Sequence, residues 1–396
     1  MFISLPDNKS CYMKKIVIAI DSFKGCLTSL EAGKAASEGV RAACPECETI
    51  VLPVADGGEG MLDVLISASN GKYRTIPAHD PLMVLRDARY GISGDGQTAF
   101  IEMAAICGLP LVPSALRNPM LTTTYGTGEL IRDALELGCR NFIIGLGGSA
   151  TNDAGLGMLQ ALGYHFLNKA GEKIGCIERE LPMNGASMSD VAFIDSSDIH
   201  PAIKESRFTA ACDVQNPFCG KDGAAFIFAP QKGADQEMVL RLDSAMKQLA
   251  EVISKHTGKD ISLYPGAGAA GGMGGALFAF LRAELKPGIQ LLLDTLHFSE
   301  KIKDTDFIIT GEGKSDQQTL MGKVPSGILE EARKQKIPVI LLSGSIEDVR
   351  ELNNAGFKGV FSITPSPISL EQAMKPMIAK ANIKRVAEQI CRIIQY

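Results

Sequence analysis

The chain has 396 residues, which at ~150 residues per domain points to two or three domains. Forty Lys+Arg against 45 Asp+Glu leave a formal charge of −5, the wrong sign for a nucleic-acid binder. Hydrophobic residues make up 45%, enough for a sizeable core, yet no apolar run reaches the ~18 residues that span a bilayer, so no membrane protein is expected.

The 41 glycines are clustered and exceed the ~7% norm, which suggests ligand loops built from backbone. The ten cysteines are scattered, and residues 1–13 lack a basic end followed by an apolar stretch. A reduced, cytoplasmic protein with buried thiols is therefore expected. Cys44 and Cys47 form a CxxC without a second pair or a nearby His and read as a helix-end loop. Residues 1–12, ahead of Met13, read as an N-terminal extension.

Lys15–Ile20 (KIVIAI) is a β-branched run typical of a strand buried on both faces. A helix is expected over 29–43, with Thr28 or Ser29 as N-cap and Pro45 as stop, then a strand over 48–54 and a helix over 60–69. Tyr73–Leu85, Ala88–Ile92 and Ala99–Met103 suggest a meander, Asn141–Gly145 a buried strand and IQLLLD (289–294) another strand. Short apolar strands recur at 307–310, 339–342 and 359–363, with helices at about 325–335, 347–355 and 380–395. The expected fold is α/β with two domains. Residues 13–86 and 290–396 form a doubly wound parallel sheet, and 87–289 an inserted α/β domain with a mixed sheet.

Polar and glycine-rich loops follow several of these strands, at the edge where α/β sheets bind ligands. DSFKG (21–25) offers Ser22 and Lys24, a cation for a carboxylate or phosphate. ADGGEG (55–60) offers Asp56 and Glu59, which suit a metal or hydroxylated substrate, or a capping box. GLGGSATND (145–153) opens a helix and reads as a phosphate cradle. Gly147, Gly148, Ser149 and Thr151 are its donors, and Asp153 is placed to hold a cation. Asp213 ends a strand beginning near Phe208 and is a candidate general base or Mg²⁺ ligand. A second glycine cluster at 265–275, with Gly268, Gly271 and Gly272, opens another helix, and GEGKSD (311–316) brings Asp316 to a strand end.

Gly313-Lys314-Ser315 mimics a P-loop end, but the required first glycine falls at Ile308. The Gly266, Gly268, Gly271 spacing satisfies the dinucleotide pattern, yet Pro265 spoils the strand before it. Two glycine cradles with strand-end carboxylates and lysines describe a phosphotransferase better than a dehydrogenase.

In order, DSFKG, PVADGGEG (53–60), GTGE (126–129), LGGSATND (146–153), CDVQNP (212–217), PQKGA (230–234), PGAGAAGG (265–272) and GEGKSDQQT with GKVP (311–325) resemble the type I glycerate kinase family. The resemblance runs from Met13 to the C-terminus; Met61 departs from the small hydroxyl residue usual after DGGEG. It implies ATP- and Mg²⁺-dependent phosphorylation of D-glycerate, usually at the 2-hydroxyl, by a flavodoxin-like domain plus an inserted α/β domain. Glycerate 3-kinase, a kinase of another small hydroxy acid and a non-catalytic glycerate-responsive regulator are the alternatives; no basic helix-turn-helix stretch supports the last. Within this reading, Lys24 meets the substrate carboxylate with Ser22, Asp56 and Glu59 nearby. Gly147, Gly148, Ser149, Thr151, Gly268, Gly271 and Gly272 hold the ATP phosphates. Asp153 and Asp213 hold Mg²⁺, and Asp213, with Lys24 and Asp316, carries the catalysis. No nucleic-acid or membrane partner is expected, and the chain is expected to be a monomer or homodimer.

Overall fold

The computed structural model describes residues 13–55, 60–177 and 181–394. In chain order these form fourteen strands: β1 Lys15–Ile20, β2 Glu48–Val51, β3 Lys72–His79, β4 Leu85–Ile92, β5 Thr98–Glu102, β6 Asn141–Gly145, β7 His165–Leu167, β8 Lys173–Ile174, β9 Phe193–Asp195, β10 Arg207–Ala211, β11 Glu284–Lys286, β12 Phe307–Ser315, β13 Val339–Ile346 and β14 Gly359–Ser362. The chain separates into two compact units, Met1–Asp56 with Leu292–Tyr396, and Gly57–Leu291.

The first unit is a five-stranded, wholly parallel sheet in the order β14-β13-β12-β1-β2. Numbered within the unit, this is the 2-1-3-4-5 order of flavodoxin-like sheets. Ile16, Ile18 and Ile20 pack with Ala32, Ala36, Ile383 and Ala387 of the helices Ser29–Ala43 and Pro376–Ile394. Val17 and Ala19, equally buried, point to the opposite face by strand alternation. That double burial is why the run carries no polar residue between Ile16 and Ile20. The helix Ser29–Ala43 starts at Thr28, whose side chain and that of Glu31 form a capping box. Gly39 lets it cross the last helix closely: a Cβ there would lie 2.1 Å from the Lys384 carbonyl oxygen. Asp306 fixes the entry to β1 by accepting the Lys14 and Lys15 N–H groups at 2.6 and 2.9 Å.

The second unit holds a mixed six-stranded sheet, β11-β10-β6-β5-β4-β3. Its β5, β6, β10 and β11 run parallel, while β3, β4 and β5 form the expected antiparallel meander. Phe142 and Phe208 on adjacent strands stack at 4.6 Å in its core. A small sheet, β8-β7-β9, completes the unit.

Three expectations shift. The first meander strand stops at His79, because Asp80 accepts the N–H groups of Leu82 and Val84 and turns the chain. IQLLLD lies in a helix, Gly288–Thr295, rather than a strand. A short apolar run cannot distinguish the two, and Pro287 just before it suits a helix start. With no strand closing at Asp294, the dinucleotide reading loses its second half as well. The unit boundary falls near residue 57 rather than 86/87, since β3 and β4 pair into the second unit's sheet. Residues 1–12 lie outside the described residues.

Candidate active site

In the second unit, β6 and β10 run parallel in register, pairing Gly145 with Ala211. Their C-terminal ends therefore deliver the loops 146–151 and 212–216 side by side. Between these loops lies a cavity of about 340 Å³, lined by Gly147, Gly148, Ser149, Cys212, Asp213, Lys232, Ala269 and Ala270 among others. Gly148 adopts φ +72°, in the left-handed region that glycine reaches without strain. A Cβ at Gly147 would meet nothing within 4 Å, so the loop faces open space. The backbone N–H groups of Gly147, Gly148 and Ser149 have no acceptor among the described residues, although the neighbouring Leu146 and Ala150 donate to Ala211 and Cys107. Three adjacent unpaired donors on a cavity wall are suited to an anion.

Beneath the loop, Lys232 is only 2% exposed. Its ammonium group donates to Ser149 Oγ at 2.8 Å and to the Thr151 carbonyl at 2.7 Å. Desolvation pushes its pKa down to about 7 against a partial upward pull from Asp153. On another wall, exposed Asp213 accepts the Gly288 N–H through Oδ1 at 2.8 Å. It is the sole carboxylate lining this cavity among the described residues.

In the first unit, the C-terminal ends of β1, β12 and β13 border a second cavity, of about 370 Å³. This is the sheet's topological switch, since the chain leaves β1 toward β2 on one side while β12 pairs on the other. Asp21, Ser22, Lys24, Glu312, Lys314 and Lys323 supply its polar side; Phe23, Ile363, Leu370 and Met374 supply an apolar one. Glu312 is buried, accepts from Ser315 and Thr319 at 3.0 and 2.6 Å, and lies 4.0 Å from Lys323. Burial raises its pKa, which the two hydroxyls and Lys323 oppose.

The expected site residues separate accordingly. Ser22 and Lys24 line the first unit's cavity. Gly147, Gly148, Ser149 and Asp213 meet on the second unit's cavity. Asp56 and Glu59 lie outside the described residues.

Five expected ligands are otherwise engaged. Asp153 is wholly buried and accepts four bonds, from Thr124 N, Thr124 Oγ1, Gly155 N and Gly157 N at 2.8–3.2 Å. It anchors the start of the helix Leu156–Ala161 rather than a metal. Thr151 is also fully buried; its carbonyl holds Lys232 and its hydroxyl does not reach the cavity. Gly268, Gly271 and Gly272 serve close packing: Cβ atoms there would lie 2.2 Å from the Pro217 carbonyl oxygen, 2.1 Å from that of Thr151, and 2.8 Å from Met246 and Phe218. The second glycine cluster is thus a wedge between loops, with only its neighbours Ala269 and Ala270 reaching the cavity. Asp316 likewise caps the turn Gln317–Leu320 and pairs with Lys314 at 3.4 Å, without lining the cavity. The GTGE block is structural too, for Glu129 holds His79 through its backbone N–H and its Nδ1.

Lys232 and Glu312 are the side chains that sequence reasoning passed over. Both lie in blocks already singled out, PQKGA and GEGKSDQQT, and only the fold shows that they are buried against cavities.

Comparison with known proteins gives this arrangement its family. The profile of the Glycerate kinase family matches residues 16–395. The chain belongs to the glycerate kinase family. Relatives include the Glycerate 2-kinase of Escherichia coli (strain K12), 46% identical over 95% of this chain and 97% of the relative. The Glycerate kinase of Bacillus cereus is 44% identical over 96% and 97%. A crystal structure from Salmonella typhimurium LT2 carrying the name glycerate kinase 2 matches with a TM-score of 0.86 at 42% identity, over 96% of this chain and 98% of that one. As a member of this family the protein is a kinase, and ATP is the phosphoryl donor the family implies. No helix among the described residues of this kinase is long and apolar enough to cross a membrane.

Proposed function

We propose that this kinase transfers the γ-phosphoryl group of ATP to the 2-hydroxyl of D-glycerate, giving 2-phosphoglycerate and ADP. The observation that carries the reading is the row Gly147, Gly148 and Ser149, which lines one cavity with Asp213 and whose N–H groups have no acceptor among the described residues. Phosphoryl transfer asks little covalent chemistry of the protein; it asks for donors on the phosphate oxygens and a group that takes the hydroxyl proton. The loop serves the phosphates of ATP, and Asp213 serves as base. The regiochemistry is supported by the likeness to the Glycerate 2-kinase of Escherichia coli.

Mg²⁺ needs only one or two carboxylates when phosphate oxygens complete its shell, and Asp213 suits that demand. No group of three or more His, Cys, Asp or Glu side chains fit to hold a metal occurs among the described residues. When bound, Mg²⁺ supplies charge neutralisation at the β and γ oxygens.

Lys24, with Ser22 two residues before it, is the cation proposed to meet the carboxylate of D-glycerate. Lys24→Ala is expected to lower kcat/KM for D-glycerate about a hundredfold, roughly 3 kcal/mol, through KM more than kcat. Steady-state kinetics with wild-type values would remove Lys24 from the site.

³¹P NMR of the purified kinase with Mg-ATP and D-glycerate tests the reaction itself. A new doublet, from phosphate on the secondary carbon, is expected. A triplet would assign the 3-hydroxyl, and ATP left intact would reject D-glycerate as substrate.

A further inference from the structure

Lys232 has a place in the fold that stability alone does not explain. The short turn Pro230–Lys232 is pinned by Gly233, at φ +98°, where a Cβ would lie 2.2 Å from the Arg117 carbonyl oxygen. This fixed turn drives a lysine into the interior beneath the glycine loop. Two of the three ammonium hydrogens are used, on Ser149 Oγ and the Thr151 carbonyl. Neither acceptor carries a charge. Asp153, the acid whose charge reaches it, is already surrounded by four donors. A buried cation without a counter-charge destabilises a fold, and an apolar side chain of similar length would serve packing as well or better. The same lysine lines the cavity together with Gly147, Gly148 and Ser149, whose backbone N–H groups have no acceptor among the described residues. A buried ammonium held only by neutral acceptors and a row of donors without acceptors among the described residues thus coincide in one place.

We propose that Lys232 and the N–H groups of Gly147, Gly148 and Ser149 form one tetrahedral-oxyanion site, in which the lysine's remaining hydrogen meets a phosphoryl oxygen. This rests on the reading of the protein as an ATP-dependent kinase only for the identity of the anion, a phosphate of ATP. The Ser149 hydroxyl and Thr151 carbonyl hold the ammonium against the loop, so that an arriving oxyanion finds its counter-charge already oriented.

The test compares wild type with Lys232→Met, using sulfate and the β,γ-imido analogue of ATP as probes. Both probes are expected to raise the melting temperature of wild type. The variant, freed of a desolvated ammonium, should melt at or above wild type without ligand. It should lose the stabilisation by sulfate and bind the analogue about a hundredfold more weakly. Unchanged affinity for both probes would overturn the proposal, as would a lowered melting temperature with intact affinity, which would make Lys232 a strut for the loop. Should Lys232→Met not fold, wild type carrying ¹³C at lysine Cε, with the resonance assigned through Lys232→Arg, replaces it. The buried signal should then shift on sulfate addition, and its failure to move would overturn the proposal. The ³¹P experiment separates the two readings. Loss of sulfate binding in a protein that makes no phosphoglycerate keeps the oxyanion site and rejects the kinase substrate. Normal turnover with a fully active Lys232→Met rejects the site alone.

Discussion

Asp213→Asn is expected to lower kcat about a thousandfold at saturating Mg²⁺, within the ~10²–10⁴ that a positioned general base contributes. The substitution is nearly isosteric, and an Asn side chain can still accept the Gly288 N–H that fixes Oδ1. Asp213 is exposed at the end of β10, so the melting temperature should stay within about 2 °C of wild type. Removing the charge leaves the second unit's cavity without a lining carboxylate among the described residues. A rate titration against Mg²⁺ separates two ways in which that could act. Loss of the base lowers the plateau; loss of a metal ligand raises the Mg²⁺ concentration at half-maximal rate. An unchanged plateau and midpoint would remove Asp213 from both roles.

Asp153→Asn should behave in the opposite way, costing about 2–4 kcal/mol of stability and leaving the Mg²⁺ midpoint unchanged. Both oxygens of Asp153 accept, three bonds falling on Oδ2 and one on Oδ1. An amide NH₂ in either position would face a donor with another donor, and a buried group left unsatisfied in this way is strongly destabilising. The expected fall in melting temperature is on the order of 10 °C, readable by calorimetry. A variant that melts like wild type but demands more Mg²⁺ would return Asp153 to the metal.

These two aspartates show what is legible in the sequence and what is not. The frame of the fold follows from local physics. A run such as KIVIAI has no polar face to expose, and Thr28 with Glu31 marks a helix start without reference to any distant residue. The loop at 147–149 announces itself as small residues between a strand and a helix, and its N–H groups have no acceptor among the described residues. The cluster at 265–275 has the same composition for a different reason: its glycines admit neighbouring backbone instead of a ligand, and sequence does not distinguish the two uses. Asp153 follows the loop at metal-ligand spacing, yet only tertiary structure brings Thr124 over it and closes it off. Lys232 is the reverse case. A lysine is taken as solvated by default, and its burial becomes visible only once the 230–232 turn is packed under the loop.

The first unit's sheet also imposes an order on the birth of the molecule. Lys15, at the head of β1, donates its backbone N–H to the carboxylate of Asp306, 291 residues later in the chain. At ~5–20 residues per second, ribosomal synthesis separates the two by roughly 15–60 s. Through that interval β1 has β2 but not its other neighbour, β12, and the helix Ser29–Ala43 lacks the closing helix Pro376–Ile394. Every strand of the second unit has meanwhile left the ribosome. β1, which precedes every other described strand, is therefore among the last to be fully covered. A nascent chain of this protein carries an open β edge for most of its synthesis, and a chaperone that engages Lys15–Ile20 would have that whole window in which to act.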